Sequence, residues 1–291
     1  MKVVFIPLLA AVAYAASILI AKISLTRQRI SLRDYIPGIF FFLTLFSVAS
    51  LPKWGAASYT HLLSGNNLVL LLLIIVVAAI WNVLYYIGLS KEKVNTTEGI
   101  IILMPMMTMV ISWFFSPEYF DSQIAIAAGA ATFLVAWAYR PRSLLRFDVY
   151  FLMLLISVVG MALENVLVGQ LLKTDAVSPA ALYATRTTLV FIIFYLYYRP
   201  SLLRLKFKTL WFLALSGIIG TTAMLLRFYG LRDAGITLTA TVLILVPVLV
   251  FSAAVLLLHE KISKTRLAAM VAIGVLILYA TFANYHLLAN R

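Results

Sequence analysis

The chain has 291 residues, of which 64% are hydrophobic and only 11% are charged. Soluble domains carry about 25% charged residues, so this composition excludes a water-soluble globular protein. The formal net charge is +13, but the basic residues are scattered over short loops, which argues against a nucleic-acid-binding surface. The sequence contains no cysteine, which excludes disulfides, thiolate metal sites and a cysteine nucleophile.

Apolar runs of about 20 residues recur along the chain, and a helix of that length crosses a ~30 Å hydrocarbon core. We predict ten such spans, at residues 3–21, 35–51, 68–88, 96–115, 123–139, 149–169, 178–198, 209–229, 236–258 and 267–285. The N-terminal run resembles a signal peptide, but its continuation to Lys22 predicts a first span instead. The predicted fold is an all-α polytopic membrane protein.

The sequence contains an internal repeat, in which Tyr85–Glu118 aligns with Arg227–Glu260. In this alignment four pairs of identical residues are not aliphatic: Gly88 with Gly230, Thr97 with Thr239, Pro105 with Pro247, and Glu118 with Glu260. Chance agreement between two apolar segments is the alternative interpretation. A repeat inside a polytopic membrane protein is typical of transporters, whose binding site lies between the two halves.

The ten spans divide into two halves of five, residues 1–139 and 149–291, joined by a basic loop at 140–148. An odd number of spans per half turns the second half over, so we expect two inverted five-helix repeats around a central cavity. The odd-numbered connections carry 16 Lys and Arg residues, whereas the even-numbered connections and the termini carry 5. Basic residues are retained in the cytoplasm, so both termini are predicted to be external.

Three stretches resemble the drug/metabolite transporter superfamily in its ten-helix EamA-type branch. Ala10–Leu25 is similar to the first helix of that family, Tyr85–Glu118 to its third and fourth helices, and Leu256–Ala280 to its ninth and tenth helices. The chain departs from the family pattern at Ser116-Pro117, where a Gly-Glu turn is usual, and at His259 in the second half.

This resemblance implies a transporter that moves small polar or amphipathic metabolites by alternating access, often outward. It also implies that helices 1–4 and 6–9 surround the cavity, while helices 5 and 10 lie outside it. The small residues of spans five and ten favour packing against the bundle over a dimer interface, so we expect a monomer or a weak dimer. The resemblance leaves the cargo open.

Three charged residues lie deep inside predicted spans, where an ionisable group costs at least ~2.5–3.5 kcal/mol and is a functional candidate. Glu164 and Arg186 lie at comparable depth in spans six and seven, and Arg227 lies nearer the surface in span eight. Glu164 and Arg186 are expected either to form a structural ion pair or to face the cavity together with Arg227. The surplus positive charge favours an anionic or zwitterionic cargo such as an amino acid.

Polar and aromatic residues inside the spans are further candidates for the cavity wall. Asn82 and Tyr86 share one face of span three, and Tyr14 and Tyr183 are candidates of the same kind; aromatic packing is the alternative interpretation. Glu98 and Lys22 are expected to act as anchors at the membrane interface.

Two equivalent prolines, Pro105 and Pro247, lie near the middle of spans four and nine. Because proline removes a backbone hydrogen bond and kinks a helix, they are candidate hinges for alternating access.

These observations predict a secondary transporter in the cell (plasma or inner) membrane, and an exporter in particular, that moves one small-molecule substrate through the bilayer. No cofactor, metal or nucleic acid is expected to take part. The rival hypotheses are an intramembrane enzyme, which requires converging catalytic groups at depth, and a membrane scaffold or signalling protein, which requires no cavity.

Overall fold

The computed structural model describes residues 2–26, 30–54, 62, 65–92, 97, 100–101, 103–115, 126, 129–130, 132–134, 149–174, 177–201, 205–258, 268, 272, 275–276 and 279. The regular structure in these ranges is α-helical throughout, which confirms the predicted all-α class. The predicted spans at 123–139 and 267–285 lie largely outside the described residues. The number of ten helices and the inverted repeat therefore stay predictions.

Nine helices are described within these ranges. They are α1 (Lys2–Thr26), α2 (Leu32–Trp54), α3 (Gly65–Lys91), α4 (Leu103–Phe115), α5 (Val149–Lys173), α6 (Pro179–Tyr198), α7 (Phe207–Asp233), α8 (Ile236–Leu243) and α9 (Leu245–Leu258). By length and composition, α1, α2, α3, α5, α6 and α7 are long and apolar enough to cross a membrane, as predicted for these six spans. The helix α4 and the stretch Ile236–Val250 are apolar but shorter.

Local sequence sets the two ends of α6. The Ser178 hydroxyl accepts a hydrogen bond from the Ala181 N–H at 3.2 Å, and Pro179 occupies the first position, where its missing N–H costs little. At the other end, Arg33 of α2 donates from Nε to the carbonyl oxygen of Tyr198 at 3.0 Å. These contacts position α6 along α2.

A break separates α8 from α9 where the sequence predicts a disturbance by proline. Pro247 has no N–H to donate to the carbonyl oxygen of Leu243, four residues before it, and its ring crowds that carbonyl. Accordingly α8 ends at Leu243. In the turn that follows, the Ile244 N–H bonds to the carbonyl oxygen of Thr241, three residues back, at 3.1 Å. The predicted ninth span is thus divided into two helical segments.

The most extensive helix contacts cross between the two predicted halves of the chain. Helix α1 packs chiefly against α7, α3 against α5, and α2 against α6. The two halves therefore pack against each other along their length. Side chains from both halves line the space among α1, α2, α3, α6 and α7.

Glycines allow two of these contacts. A Cβ at Gly88 of α3 would lie 2.4 Å from Cγ of Leu154 in α5, and a Cβ at Gly217 of α7 would lie 2.5 Å from Cβ of Phe42 in α2. Carbon atoms do not approach so closely, so a larger residue at either position would push the helix pair apart.

Candidate functional site

A cavity of about 60 Å³ lies among α1, α2, α3, α6 and α7. Five residues that the sequence analysis singled out line it: Tyr14, Asn82, Tyr86, Tyr183 and Arg186. Both predicted halves of the chain therefore contribute to its wall. At about 10–15 Å³ per water molecule, this volume holds a few waters, so a larger cargo requires the helices to move apart.

The cavity lies toward the end of the bundle at which α1 and α3 end and α2 begins. Its wall includes Ala21 near the end of α1, Tyr35 near the start of α2, and Tyr86 near the end of α3. The rings of Tyr35 and Tyr86 meet edge to face, with their centroids 5.2 Å apart. This is the end of the bundle that the distribution of basic residues predicts to be cytoplasmic.

Lys22 ties α1 to α3 at this same end of the bundle. Its Nζ donates to the carbonyl oxygen of Leu89 at 2.6 Å and to that of Glu92 at 2.5 Å. A cation is favourable there because the last carbonyl groups of a helix carry partial negative charge. The sequence predicts Lys22 to be an interfacial anchor, and the structure adds this bridge between two helices.

Arg186 and Glu164 form a buried ion pair between α6 and α5. Arg186 donates from Nε to Oε1 of Glu164 at 2.8 Å and from Nη2 to Oε2 at 3.2 Å, which is the bidentate geometry that suits a guanidinium. Trp81 of α3 donates from its indole nitrogen to Oε2 of Glu164 at 2.6 Å. The carboxylate thus accepts three hydrogen bonds and holds Arg186 in one orientation.

Arg186 retains capacity to bind a further anionic group. A guanidinium has five N–H donors, and the pair with Glu164 uses two of them. The other three donate to no residue that the structure describes, and Arg186 lines the cavity. Its Cζ also lies 5.9 Å from the centre of the Trp81 ring, an arrangement that stabilises the cation.

Arg227 belongs to a second polar network, which connects α7, α5 and α4. Its Nη2 donates to the amide oxygen of Asn165, and Asn165 donates from Nδ2 to the Thr108 hydroxyl at 3.2 Å. The Thr108 hydroxyl in turn donates to the carbonyl oxygen of Met104 at 2.9 Å. The Nε of Arg227 is buried and has no hydrogen-bond partner among the described residues.

The charges of these side chains do not cancel in the buried region. Glu164, Arg186 and Arg227 are exposed by only 1%, 2% and 1%, and they are the fully buried charged residues in the described part of the chain. One carboxylate faces two guanidinium groups, which leaves a net charge of about +1 where burying charge is costly. An anionic partner would offset that cost.

The geometry distributes the predicted site residues unevenly. Glu164 and Arg227 were candidates for the cavity wall, but neither lines this cavity. Glu164 lies behind Arg186 and Trp81, whose hydrogen bonds occupy it, while Arg227 is engaged by Asn165. Pro105 and Pro247 lie outside the wall as well, and their role as hinges stays a prediction.

Sequence reasoning missed several residues of the wall. Tyr35, Ser17 and Ser216 line the cavity, and none was singled out. Their signal in the sequence is a hydroxyl inside an apolar run, which is weak because serine, threonine and tyrosine often bond their own helix or lie at the membrane interface.

Comparison with known proteins gives one family and one fold. Residues 148–282, just under half of the chain, match the sequence model of the EamA-like transporter family. No match was found among curated proteins. A solved structure described only as a crystal structure of a protein is 15% identical to this chain. It superposes with a TM-score of 0.69 over 100% of this chain and 98% of that chain, a likeness that shows a shared fold alone.

The family match and the helices agree on the class of protein. Six helices of membrane-spanning length and the match of residues 148–282 to the EamA-like transporter family point to a multi-pass membrane protein and a membrane transporter. This agrees with the expectation of a transporter.

Proposed function

We propose that the protein is a secondary transporter that moves a small anionic or zwitterionic metabolite through the central cavity by alternating access. The observation that carries this proposal is Arg186, which lines the cavity with three N–H donors available. Glu164 holds the other edge of the guanidinium and is itself held by Trp81. A guanidinium fixed in this way offers a carboxylate or phosphate a planar pair of donors without further ordering.

The walls of the cavity suit an organic anion better than an inorganic one. Tyr14, Tyr86, Tyr183 and Trp81 contribute aromatic surface next to Arg186. Aromatic faces pack against the apolar body of a metabolite and also attract an ammonium group, so an amino acid remains within the proposed class. A membrane scaffold has no need of a polar cavity that includes a buried cation.

The packing of the described helices supports alternating access by two related halves. The repeat equates α1 with α5, α3 with α7, and α4 with α9. Under this exchange, the contact of α1 with α7 becomes that of α5 with α3, and the contact of α4 with α5 becomes that of α9 with α1. Such an exchange is expected for two inverted repeats that rock about a central site.

The position of the cavity indicates the side of the membrane from which this conformation would exchange cargo. It lies on the side of Arg186 that the basic connections predict to be cytoplasmic, so a cargo would load from the cytoplasm. The bridge from Lys22 to the end of α3 would have to open or bend to admit that cargo.

Counterflow in proteoliposomes tests this function directly. Vesicles loaded with an unlabelled mixture of amino acids and organic acids should take up labelled anionic or zwitterionic members of that mixture, and should exclude labelled cationic amines of similar size. Equal or better uptake of the cationic amines would contradict the proposed charge selectivity. Absence of uptake for every member would contradict transport of this class.

A further inference from the structure

We propose that the hydroxyl groups of Tyr35 and Ser216 form a second polar subsite in the cavity, which binds an uncharged hydrogen-bonding group of the cargo. This inference rests on the proposed function and narrows its substrate class. The cargo would be a small acid that carries a hydroxyl or carbonyl group at some distance from its anionic group.

The first observation is that both hydroxyls are buried without a partner. Tyr35 is fully buried and Ser216 is 2% exposed, and neither hydroxyl makes a hydrogen bond within the described part of the chain. A buried polar group normally finds a partner, because leaving it unpaired costs stability. Both residues line the cavity, so a molecule in that space is the partner within reach.

The second observation concerns the position of these hydroxyls relative to Arg186. The Ser47 and Thr187 hydroxyls lie 3.0 Å apart. Since Arg186 immediately precedes Thr187 in α6, the backbone of Arg186 lies at about the height of Ser47 in α2. Tyr35 lies about twelve residues before Ser47 in α2, which is roughly 18 Å along the helix axis at 1.5 Å per residue. The cation and the Tyr35 ring thus approach the cavity from opposite ends.

Ser216 lies at an intermediate level along the same axis. Its neighbour Gly217 packs directly against Phe42, between the levels of Tyr35 and Ser47. The wall therefore offers a cation at one end and hydroxyl groups farther along, which matches a molecule with two different polar groups.

The chemistry of the subsite favours an uncharged group. A hydroxyl both donates and accepts, so it can bind another hydroxyl or a carbonyl equally well. A second cation on the cargo would seek a carboxylate, but Glu164 is occupied by Arg186 and Trp81 and does not line the cavity. A second anion would find no cation in the described wall at this end, because Lys22 is engaged by the carbonyl oxygens of Leu89 and Glu92 and does not line the cavity.

The test measures binding of matched acids that differ by one hydroxyl group. Purified protein in lipid nanodiscs is titrated calorimetrically with butyrate and 4-hydroxybutyrate, and with phenylacetate and 4-hydroxyphenylacetate. The wild-type protein should bind the hydroxylated member of at least one pair about 2- to 13-fold more tightly. Tyr35→Phe or Ser216→Ala should bring that ratio close to one.

The controls separate this inference from the function on which it rests. Tyr195→Phe removes a hydroxyl from the exposed face of α6 and should leave the ratio unchanged. If neither pair shows a preference, or if the preference survives both cavity variants, the subsite is refuted while anion binding stands. If no acid binds at all, the anion site itself is refuted, and the subsite with it.

A second measurement requires no ligand. Since neither hydroxyl bonds to a described protein group, its partner in the ligand-free cavity is water, and Tyr35→Phe and Ser216→Ala should change the temperature of thermal unfolding little. A clear fall in that temperature for both variants would show that the hydroxyls serve the fold, and would overturn the inference.

Discussion

Trp81 and Glu164 are joined by a hydrogen bond of 2.6 Å that runs from α3 in the first half of the chain to α5 in the second. The same carboxylate receives Arg186 from α6, so one buried group connects three helices. Since Arg186 faces the cavity, the orientation of the proposed anion-binding cation depends on a contact between the two halves.

The first prediction concerns the indole donor. Trp81→Phe keeps an aromatic side chain, although a smaller one, and removes a hydrogen bond to a charged group, which is worth about 1.5–3 kcal/mol. We expect a lower free energy of unfolding and weaker binding of an anionic cargo, because Arg186 loses part of its support. Denaturant unfolding and calorimetric titration would measure the two effects. Trp113→Phe at the exposed face of α4 is the matched control, and it should change neither quantity.

The second prediction separates a structural ion pair from a proton carrier. Glu164→Gln leaves two buried guanidinium groups without a counter-charge, and breaking a buried pair on one side costs about 3–5 kcal/mol. Thermal unfolding should show this loss, and replacing Glu164 and Arg186 together by leucine and methionine should recover most of it. If instead Glu164→Gln unfolds like the wild type, exchanges cargo and loses only accumulation driven by a pH gradient, Glu164 is a proton carrier.

The third prediction concerns the contact of α7 with α2. Gly217→Ala places a Cβ against Phe42, where overpacking costs about 1–3 kcal/mol. The variant should unfold at a lower temperature. Gly129→Ala is the control because a Cβ there meets no atom within 4 Å, and it should have no such effect. Equal stability of the two variants would show that α2 and α7 can separate at little cost.

Several features of this structure follow from composition, because physics leaves few alternatives. Apolar runs of membrane-spanning length have to be helical, and six of the predicted spans are found as helices. The pair of Glu164 with Arg186 was one of two predicted arrangements, since rare buried charges at similar depth seek each other. The break before Pro247 follows from the missing N–H of that residue.

The inward faces of the helices could not be predicted in the same way. A helix that is apolar on all sides has no amphipathic stripe, so its sequence does not indicate which side faces the cavity. Tyr35 resembled an ordinary interfacial tyrosine, and only the packing of α2 against its neighbours shows that it is fully buried. The hydrogen bond from Trp81 to Glu164 likewise depends on the contact of α3 with α5, which no local pattern encodes.

The fourth prediction concerns orientation. Both termini should be external, because the odd-numbered connections carry 16 of the basic residues and the remaining connections and termini carry 5. A C-terminal fusion to alkaline phosphatase should be active, and a fusion to green fluorescent protein should be dark. Fluorescence without phosphatase activity would mean that the orientation is inverted and that the cavity lies toward the outside.

The most direct test of the account is the effect of Arg186 on cargo affinity. Once counterflow has identified a transported anion, Arg186→Lys and Arg186→Leu are compared with Arg232→Leu, which removes an exposed arginine of α7. We expect the leucine variant of Arg186 to weaken binding about 10- to 150-fold, the lysine variant to restore part of that affinity, and the Arg232 variant to bind like the wild type. Wild-type affinity in a folded Arg186→Leu protein would contradict the central claim that this guanidinium binds the cargo.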